Sequence, residues 1–343
     1  MAIETVLIRP EALRSTVLGI FTGLGLPDSD ADVVADSLVA ADLRAVSSHG
    51  VQRVPTYVKG IKAGTINPRP EVKVVFDSGS RATVDGDGAM GQVAAQRATS
   101  LAIDRAREHG IGAVGLRGSR HCGAMAYWAM QASAADCIGF ATTNAGMNMA
   151  PTGGRDKIIG NNPLAIAVPT NQPWPMVLDM ATSVVAGGKL DVAAIRGQKI
   201  PLDWATDLDG KPTDDPVAAR QGLLLPISGP KGYGLAVMLD VLAGVLSGAR
   251  FGGNLGPQGS GQFFLAIQVD GDSSVAEFKA RMDQMIDQIH GSALAPGSDR
   301  IYVPGEIEYE KSVARQRDGI PLETPTVEEL NVLAASLGGP RLT

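Results

Sequence analysis

One short run of the chain, Ser47-Ser48-His49-Gly50-Val51-Gln52-Arg53 with Tyr57 four residues further on, places a proton carrier beside an anion clamp. Histidine is the side chain best suited to moving protons near neutral pH. Arginine presents a planar fork that meets a carboxylate with two hydrogen bonds. If the run is helical, His49, Arg53 and Tyr57 stand at i, i+4 and i+8 and share one face. A serine at the helix start caps amides or hydrogen-bonds the imidazole. A proton carrier one turn from a carboxylate clamp suits a 2-hydroxy or 2-oxo acid. The same spacing also fits a capped surface helix with both side chains solvated.

A second run, Ser119-Arg120-His121-Cys122-Gly123-Ala124-Met125-Ala126-Tyr127, follows an apolar strand pattern and opens an apolar helix. His121 thus stands at a strand-to-helix junction, where sites commonly form; a helix-start histidine with a satisfied ring is the plain alternative. Cys122 reads as a small buried hydrophobe rather than a nucleophile. Asn144 to Pro151 and Gly160-Asn161-Asn162-Pro163 are turn formers that can also hydrogen-bond a substrate or a carboxamide. Lys189 ends the Leu178-Asp179-Met180-Ala181-Thr182-Ser183 to Gly187-Gly188 stretch, and Lys231 is a glycine-flanked lysine able to meet a phosphate. The Lys231 loop lacks the P-loop frame. Gly86-Asp87-Gly88-Ala89-Met90-Gly91 matches Gly-x-Gly-x-x-Gly between a strand and a helix. Asp85 and Asp87 would set negative charge beside phosphates there, so a plain turn is expected. A second match, Gly110 to Gly115, runs from helix into strand, which is the wrong order.

These residues must be held by a scaffold the chain is long enough to build. Its 343 residues predict about two domains. A 44% apolar, 19% charged composition is that of a globular protein. A net charge of -6 with 4% aromatics excludes a general nucleic-acid binder. No apolar run spans a bilayer: Gly234 to Leu246 is too short and carries Asp240. The N-terminal stretch has no basic flank before an apolar run, so no secretory leader is expected, and a cytoplasmic setting is. Two cysteines and four histidines exclude a disulfide scaffold and make no metal site the expectation.

The first seventy residues read as helices, starting at Pro10 and again after Pro27. Two strands follow over 71–84, then a helix from Gln92 to Glu108. Short strands alternate with turns from 110 to 190. A polar stretch from Arg196 to Arg220 carries the turn Asp207 to Gly210. A buried helix is expected over 232–248, a strand over 261–270 and an amphipathic helix over 274–290. A Pro/Gly-rich loop then leads to a short helix near Val327 to Leu337.

Taken together and in order, SSHGVQRVP, HCGAMAYW, GNNPLAIAVP, LDMATS, PKGYGL and VPGE resemble the type-2 malate/L-lactate dehydrogenase family along nearly the whole chain. The resemblance implies an α+β fold: a non-Rossmann NAD(P)-binding domain with a largely antiparallel sheet (76–274), and a helical, substrate-side domain from residues 1–75 and 275–343. It implies a homodimeric oxidoreductase that uses NAD or NADP on a small 2-hydroxy or 2-oxo acid. His49 is then the proton donor and acceptor with Ser48 as its partner, and Arg53 holds the carboxylate, with Tyr57 and Asn161 also at the substrate. In some relatives the histidine matching His121 has the catalytic role. His121, Cys122, Gly123, Ala124 and Met125, with Asn144, Asp179, Met180, Ala181, Lys231, Pro304, Gly305 and Glu306, fall at cofactor positions. Arg117 and Arg120 could meet a 2′-phosphate. Imino-acid reductases of the family carry a threonine where Asn161 stands and an aspartate where Lys189 stands. That departure points to hydroxy/oxo-acid chemistry, with Lys189 assisting a developing negative charge. A cyclic imino-acid reductase and a non-catalytic dinucleotide binder are the alternatives.

Overall fold

A computed structural model describes residues 4–255 and 259–343. Residues 1–3, the first of the stretch read for a leader, lie outside the described residues. Strand β1 (Thr5–Ile8) leads into α1 (Pro10–Gly23), whose proline occupies the first turn, where a missing N–H costs nothing. Helix α2 (Asp28–Leu43) carries Asp28 and Asp30 at its positive end. The run from Ser47 to Arg53 is not the continuous helix that the spacing predicts. It forms two 3-10 turns, Ser47–His49 and Val51–Arg53, separated by Gly50 in an extended conformation, and α3 (Val54–Lys62) begins only after them.

Strands β2 (Lys73–Asp77) and β3 (Arg81–Ala89) form the expected hairpin. Helix α4 (Gly91–His109) crosses over to β4 (Ile111–Ser119), which lies parallel to β3. The Gly86–Gly91 segment is the end of β3 and the start of α4. Its Asp87 carboxylate accepts from Asn67 Nδ2 and the Glu71 amide, and the segment is strand running into helix where a turn is expected. A Cβ on Gly91 would lie 2.2 Å from the His121 carbonyl oxygen, so this glycine lets α4 pack directly under the loop that carries His121. Helix α5 (Met125–Ala134) and β5 (Cys137–Thr143) follow that loop.

A short pair, β6 (Met147–Met149) with β7 (Ile159–Gly160), precedes β8 (Leu164–Val168) and β9 (Met176–Met180). Then come α6 (Gly187–Ile195), β10 (Ala205–Thr206), α7 (Pro216–Gln221), β11 (Leu223–Leu224) and α8 (Pro230–Asp240). The expected 232–248 helix stops being α-helical at Asp240 and continues as a π turn, Val241–Val245. It is also not buried all round: Leu235, Met238, Val241 and Val245 are exposed along one side. Strand β12 (Gln262–Gln268) and α9 (Val275–His290) match expectation, and α9 starts with a Ser274–Glu277 capping box. Helix α10 (Glu306–Asp318) was not expected; Glu306 is its only buried residue, so it has no apolar stripe to reveal it. Strand β13 (Ile320–Glu323) and α11 (Thr324–Leu337) end the chain.

Seven strands form one sheet in the order β2-β3-β4-β12-β5-β8-β9. Only β3 and β4 run parallel; the other neighbours are antiparallel, so the fold is α+β and not Rossmann. Helices α4 and α5 pack alanine-rich faces on this sheet, with Trp128 and Phe264 in the same core. The two chain ends meet. β1 pairs with β13, and Leu13, Val17 and Phe21 of α1 share a core with Leu330 and Ala334 of α11. Met90 and Val93 of the α4 end belong to that second core, which ties the helical unit to the sheet where His49 and His121 meet. Among the described residues no helix is long and apolar enough to cross a membrane, and no three His, Cys, Asp or Glu gather as metal ligands.

Candidate active site

The 3-10 segment is fixed from below by a residue the sequence reading did not single out. Asp42, near the end of α2 and 1% exposed, accepts from the Val51 amide at 2.7 Å. A Cβ on Gly50 would fall 2.2 Å from that carboxylate, so only glycine fits between the two turns. Arg315 of α10 donates to the Asp42 carbonyl. Burial pushes the Asp42 carboxyl up to about 6, against the pull of the Val51 amide, Ser47 and Arg315.

This arrangement turns Ser48, His49 and Arg53 to one side. Ser48 Oγ lies 3.0 Å from His49 Nδ1, and Arg53 Nε donates to the Ser48 carbonyl at 2.6 Å. The His49 ring stacks on the His121 ring, with centroids 5.4 Å apart and planes 22° apart. Tyr57, buried on α3, brings its hydroxyl to 2.6 Å from His121 Nδ1. Gln92, fully buried in the first turn of α4, donates Nε2 to the same hydroxyl at 3.3 Å. So Ser48, His49, Arg53, Tyr57 and His121 come together, although 64 residues separate Tyr57 from His121. Their meeting comes from the loop geometry and the docking of the β4–α5 loop, not from one helical face.

Both imidazoles are neutral at physiological pH. Burial, and then the Arg53 charge, pushes His49 down to about 4. The surrounding protein, then the charges of His49 and Arg53, pushes His121 down to about 3, although the residue keeps an exposed surface. Burial holds the Tyr57 hydroxyl well above the usual phenol range, so it keeps its proton.

The remaining expected residues are distributed unevenly. In the 121–125 loop, the Cys122 carbonyl accepts from Trp128 Nε1 at 3.0 Å, and burial pushes the Cys122 thiol up to about 12. It is the small core residue expected and not a nucleophile. Gly123 takes φ +81°, Ala124 precedes α5, and Met125 is buried in the sheet core. Asp179, at the end of β9 just before Met180 and Ala181, accepts from the Ala126 amide at 3.2 Å and so caps α5 beside the same loop. The protein around this otherwise exposed residue pushes its carboxyl up to about 6, opposed by Ala126 and by Arg44. The Pro304-Gly305-Glu306 turn lies on β9: the Val177 amide donates to the Pro304 carbonyl at 2.9 Å. The Glu306 carboxylate is fully engaged within the chain, by His290, Arg300 and the Val303 amide.

Three expectations meet a different geometry. Asn144 is buried, with Nδ2 on Asp240 Oδ1 and the Arg250 carbonyl and Oδ1 on the Gly261 amide, so its side chain braces the approach to β12. Lys189 is exposed on α6 with its ammonium 6.0 Å from the Trp204 ring centroid. Among the described residues it shares no hydrogen bond or ion pair with His49, Arg53 or His121, because α6 packs into a separate apolar cluster with α7 and α8. Asn161 spends its amide on Asn148 and Ser183. Arg117 pairs with Asp85 at 3.0 Å, and Arg120 donates to the Thr65 carbonyl at 2.6 Å. Lys231 is exposed in the first turn of α8.

A groove of about 550 Å³ between α4 and β2 is lined by residues such as Glu71, Lys73 and Arg97 and contains none of the histidine cluster. Chemistry, not cavity size, marks the site on this chain.

Comparison with known proteins gives the family. The family model described as malate/L-lactate dehydrogenase matches residues 8–331. A malate dehydrogenase of Pyrococcus abyssi is 41% identical, over 96% of this chain and 95% of that protein. An L-sulfolactate dehydrogenase of Methanocaldococcus jannaschii is 38% identical over 97% of each. The solved structure of sulfolactate dehydrogenase from that organism superposes with a TM-score of 0.91, covering 97% of this chain and 98% of that one. A ureidoglycolate dehydrogenase (NAD(+)) of Escherichia coli O157:H7 is 35% identical over 92% of each. With a family match over nearly its full length and a largely antiparallel, non-Rossmann sheet, the chain belongs to the malate/L-lactate dehydrogenase family.

Proposed function

We propose that this chain interconverts a small L-2-hydroxy acid and its 2-oxo acid, with NAD or NADP as the second reactant. The observation that carries the reading is the stacked pair of neutral imidazoles with the Arg53 guanidinium beside them. Sheet residues 76–274 form the cofactor side, and residues 1–75 with 275–343 form the substrate side. The residues present fit a dinucleotide. Lys231 offers a cation at the amide-rich start of α8, and Asn148 Oδ1 is a buried acceptor with no partner among the described residues, suited to a carboxamide. When bound, the nicotinamide ring supplies or takes the hydride at the substrate C2.

The chain's own residues do the rest. Arg53 receives the carboxylate through its fork and orients C2. His49 takes the hydroxyl proton in the oxidation direction and returns it to the oxo group in reduction. Its neutral form at pH 7 is the base that oxidation needs. A carboxylate on Arg53 cancels the charge that helps to depress His49, so substrate binding makes His49 easier to protonate. The Ser48 hydroxyl follows either state, because it can donate to or accept from Nδ1.

Steady-state assays of pyruvate, oxaloacetate, sulfopyruvate and piperideine-2-carboxylate, each with NADH and with NADPH, test this reading. The expected result is turnover of at least one 2-oxo acid at a kcat/KM about tenfold or more above the imine. Turnover of the imine alone assigns the chain to the reductases. Cofactor binding without turnover of any oxo acid or of the imine makes it a non-catalytic binder.

A further inference from the structure

The two imidazoles differ in what holds them. His49 faces the Ser48 hydroxyl, a rotor that can donate or accept. His121 faces the Tyr57 hydroxyl, which is itself held by Gln92. Gln92 is fully buried, and its Oε1 has no partner among the described residues. Its amide therefore faces a simple choice. With Nε2 on Tyr57, the carbonyl and one of the two N–H hydrogens are left unpaired. With Oε1 on Tyr57, the amino group and both its hydrogens would be left unpaired on a fully buried residue. Buried orphan N–H groups are the rarer and costlier of the two. The orientation with Nε2 donating is thus the one the site favours.

The remaining proton follows from counting donors. Tyr57 oxygen accepts from Gln92, so its single O–H is free to point at His121 Nδ1, 2.6 Å away. A nitrogen that accepts that hydrogen carries none of its own, and the ring's proton must sit on Nε2. We propose that Gln92 and Tyr57 form a positioning relay that locks His121 in the Nε2–H tautomer, making His121 a fixed hydrogen-bond donor to the substrate oxygen and leaving His49 as the proton carrier. This deepens the dehydrogenase reading and rests on it for the word substrate. The tautomer itself does not depend on that reading. The groups facing the His121 ring are consistent with the lock. His49 and Arg53 both disfavour a second proton on it, and Tyr57 stays protonated.

The test is a nitrogen-15 spectrum of the full chain labelled at histidine. The chain has four histidines, and a His121→Asn variant assigns the fourth. The expected wild-type spectrum shows His121 Nδ1 as an unprotonated, pyridine-type nitrogen and Nε2 bearing the proton, unchanged from about pH 5 to about pH 8. Gln92→Glu replaces the donor by a carboxylate that accepts from Tyr57. The hydroxyl then reverses, and the proton should move to Nδ1. Gln92→Leu should give a mixture of tautomers and a kcat/KM roughly tenfold lower, with kcat and not KM carrying the loss. Should either Gln92 variant fail to fold, Tyr57→Phe removes the same donor and should give the same mixture. A wild-type His121 protonated at Nδ1, or variants whose His121 signals match wild type, would overturn the relay. The spectrum needs neither cofactor nor substrate. A locked Nε2–H tautomer in a protein that turns over no oxo acid would count against the dehydrogenase reading and leave the relay standing.

Discussion

Replacing His49 with alanine is expected to lower kcat by about 10²–10⁴-fold, the usual contribution of a placed acid–base group, while cofactor affinity stays within roughly twofold. The expectation follows from geometry. His49 has an adaptable partner at Nδ1 and a ring stacked on His121, and it lies beside the guanidinium that would hold the acid. The His49 side chain makes no other hydrogen bond among the described residues, so its removal leaves no partner stranded except a serine hydroxyl that can rotate. The fold should therefore survive, and the loss should appear in turnover. Stopped-flow turnover and fluorescence titration of the reduced cofactor separate the two effects. Undiminished kcat would take His49 out of the chemistry. A loss confined to cofactor affinity would give it a binding role instead.

Arg53→Lys is expected to raise KM for the acid by roughly 10- to 100-fold. Charge-assisted hydrogen bonds of this type contribute about 1.5–3 kcal/mol, and 1.4 kcal/mol is a factor of ten. The substitution keeps the charge and loses the fork. It also loses the Nε hydrogen bond to the Ser48 carbonyl, which ties the clamp to the segment carrying His49. For that reason a smaller fall in kcat should accompany the rise in KM. Steady-state kinetics over a range of acid concentration reads both. A KM unchanged by the substitution would show that the carboxylate is held elsewhere.

The residue types of this site are legible in the sequence, and their assembly is not. Ser48, His49, Arg53, Tyr57 and His121 stand out because few other side chains in their segments can carry protons or bind an anion. Helical spacing predicts a shared face for three of them, yet the backbone there is two 3-10 turns with an extended glycine between them. The deciding contact at Gly50 is with Asp42, a long-range packing fact that no local period encodes. Asp42 and Gln92 escape notice for a related reason. Each is a lone polar residue at the end of a helix, which in a sequence looks like a solvated cap. In the structure they are buried and hold the segments that carry the histidines.

Of the fold, the strands of the sheet and the helices α4, α5 and α9 follow from apolar periodicity and capping. Helix α10 does not, because it buries almost nothing. The π turn after Asp240 does not either. Asp240 reads as one charge in an apolar run, and it is used inside the chain to hold Asn144 and the Gly252 amide. Lys189 shows the limit of motif order. Its position in the sequence suggests the reacting centre, whereas α6 carries it into a cluster with Trp204.

A crystal structure of the protein with reduced cofactor and oxamate, an unreactive mimic of a 2-oxo acid, puts the central idea to its most direct trial. The expected density shows the oxamate carboxylate on both terminal nitrogens of Arg53 and its oxo oxygen within hydrogen-bonding reach of the two imidazoles. Oxamate bound elsewhere, or lying with its carboxylate away from Arg53 and its oxo group facing neither His49 nor His121, would contradict the account.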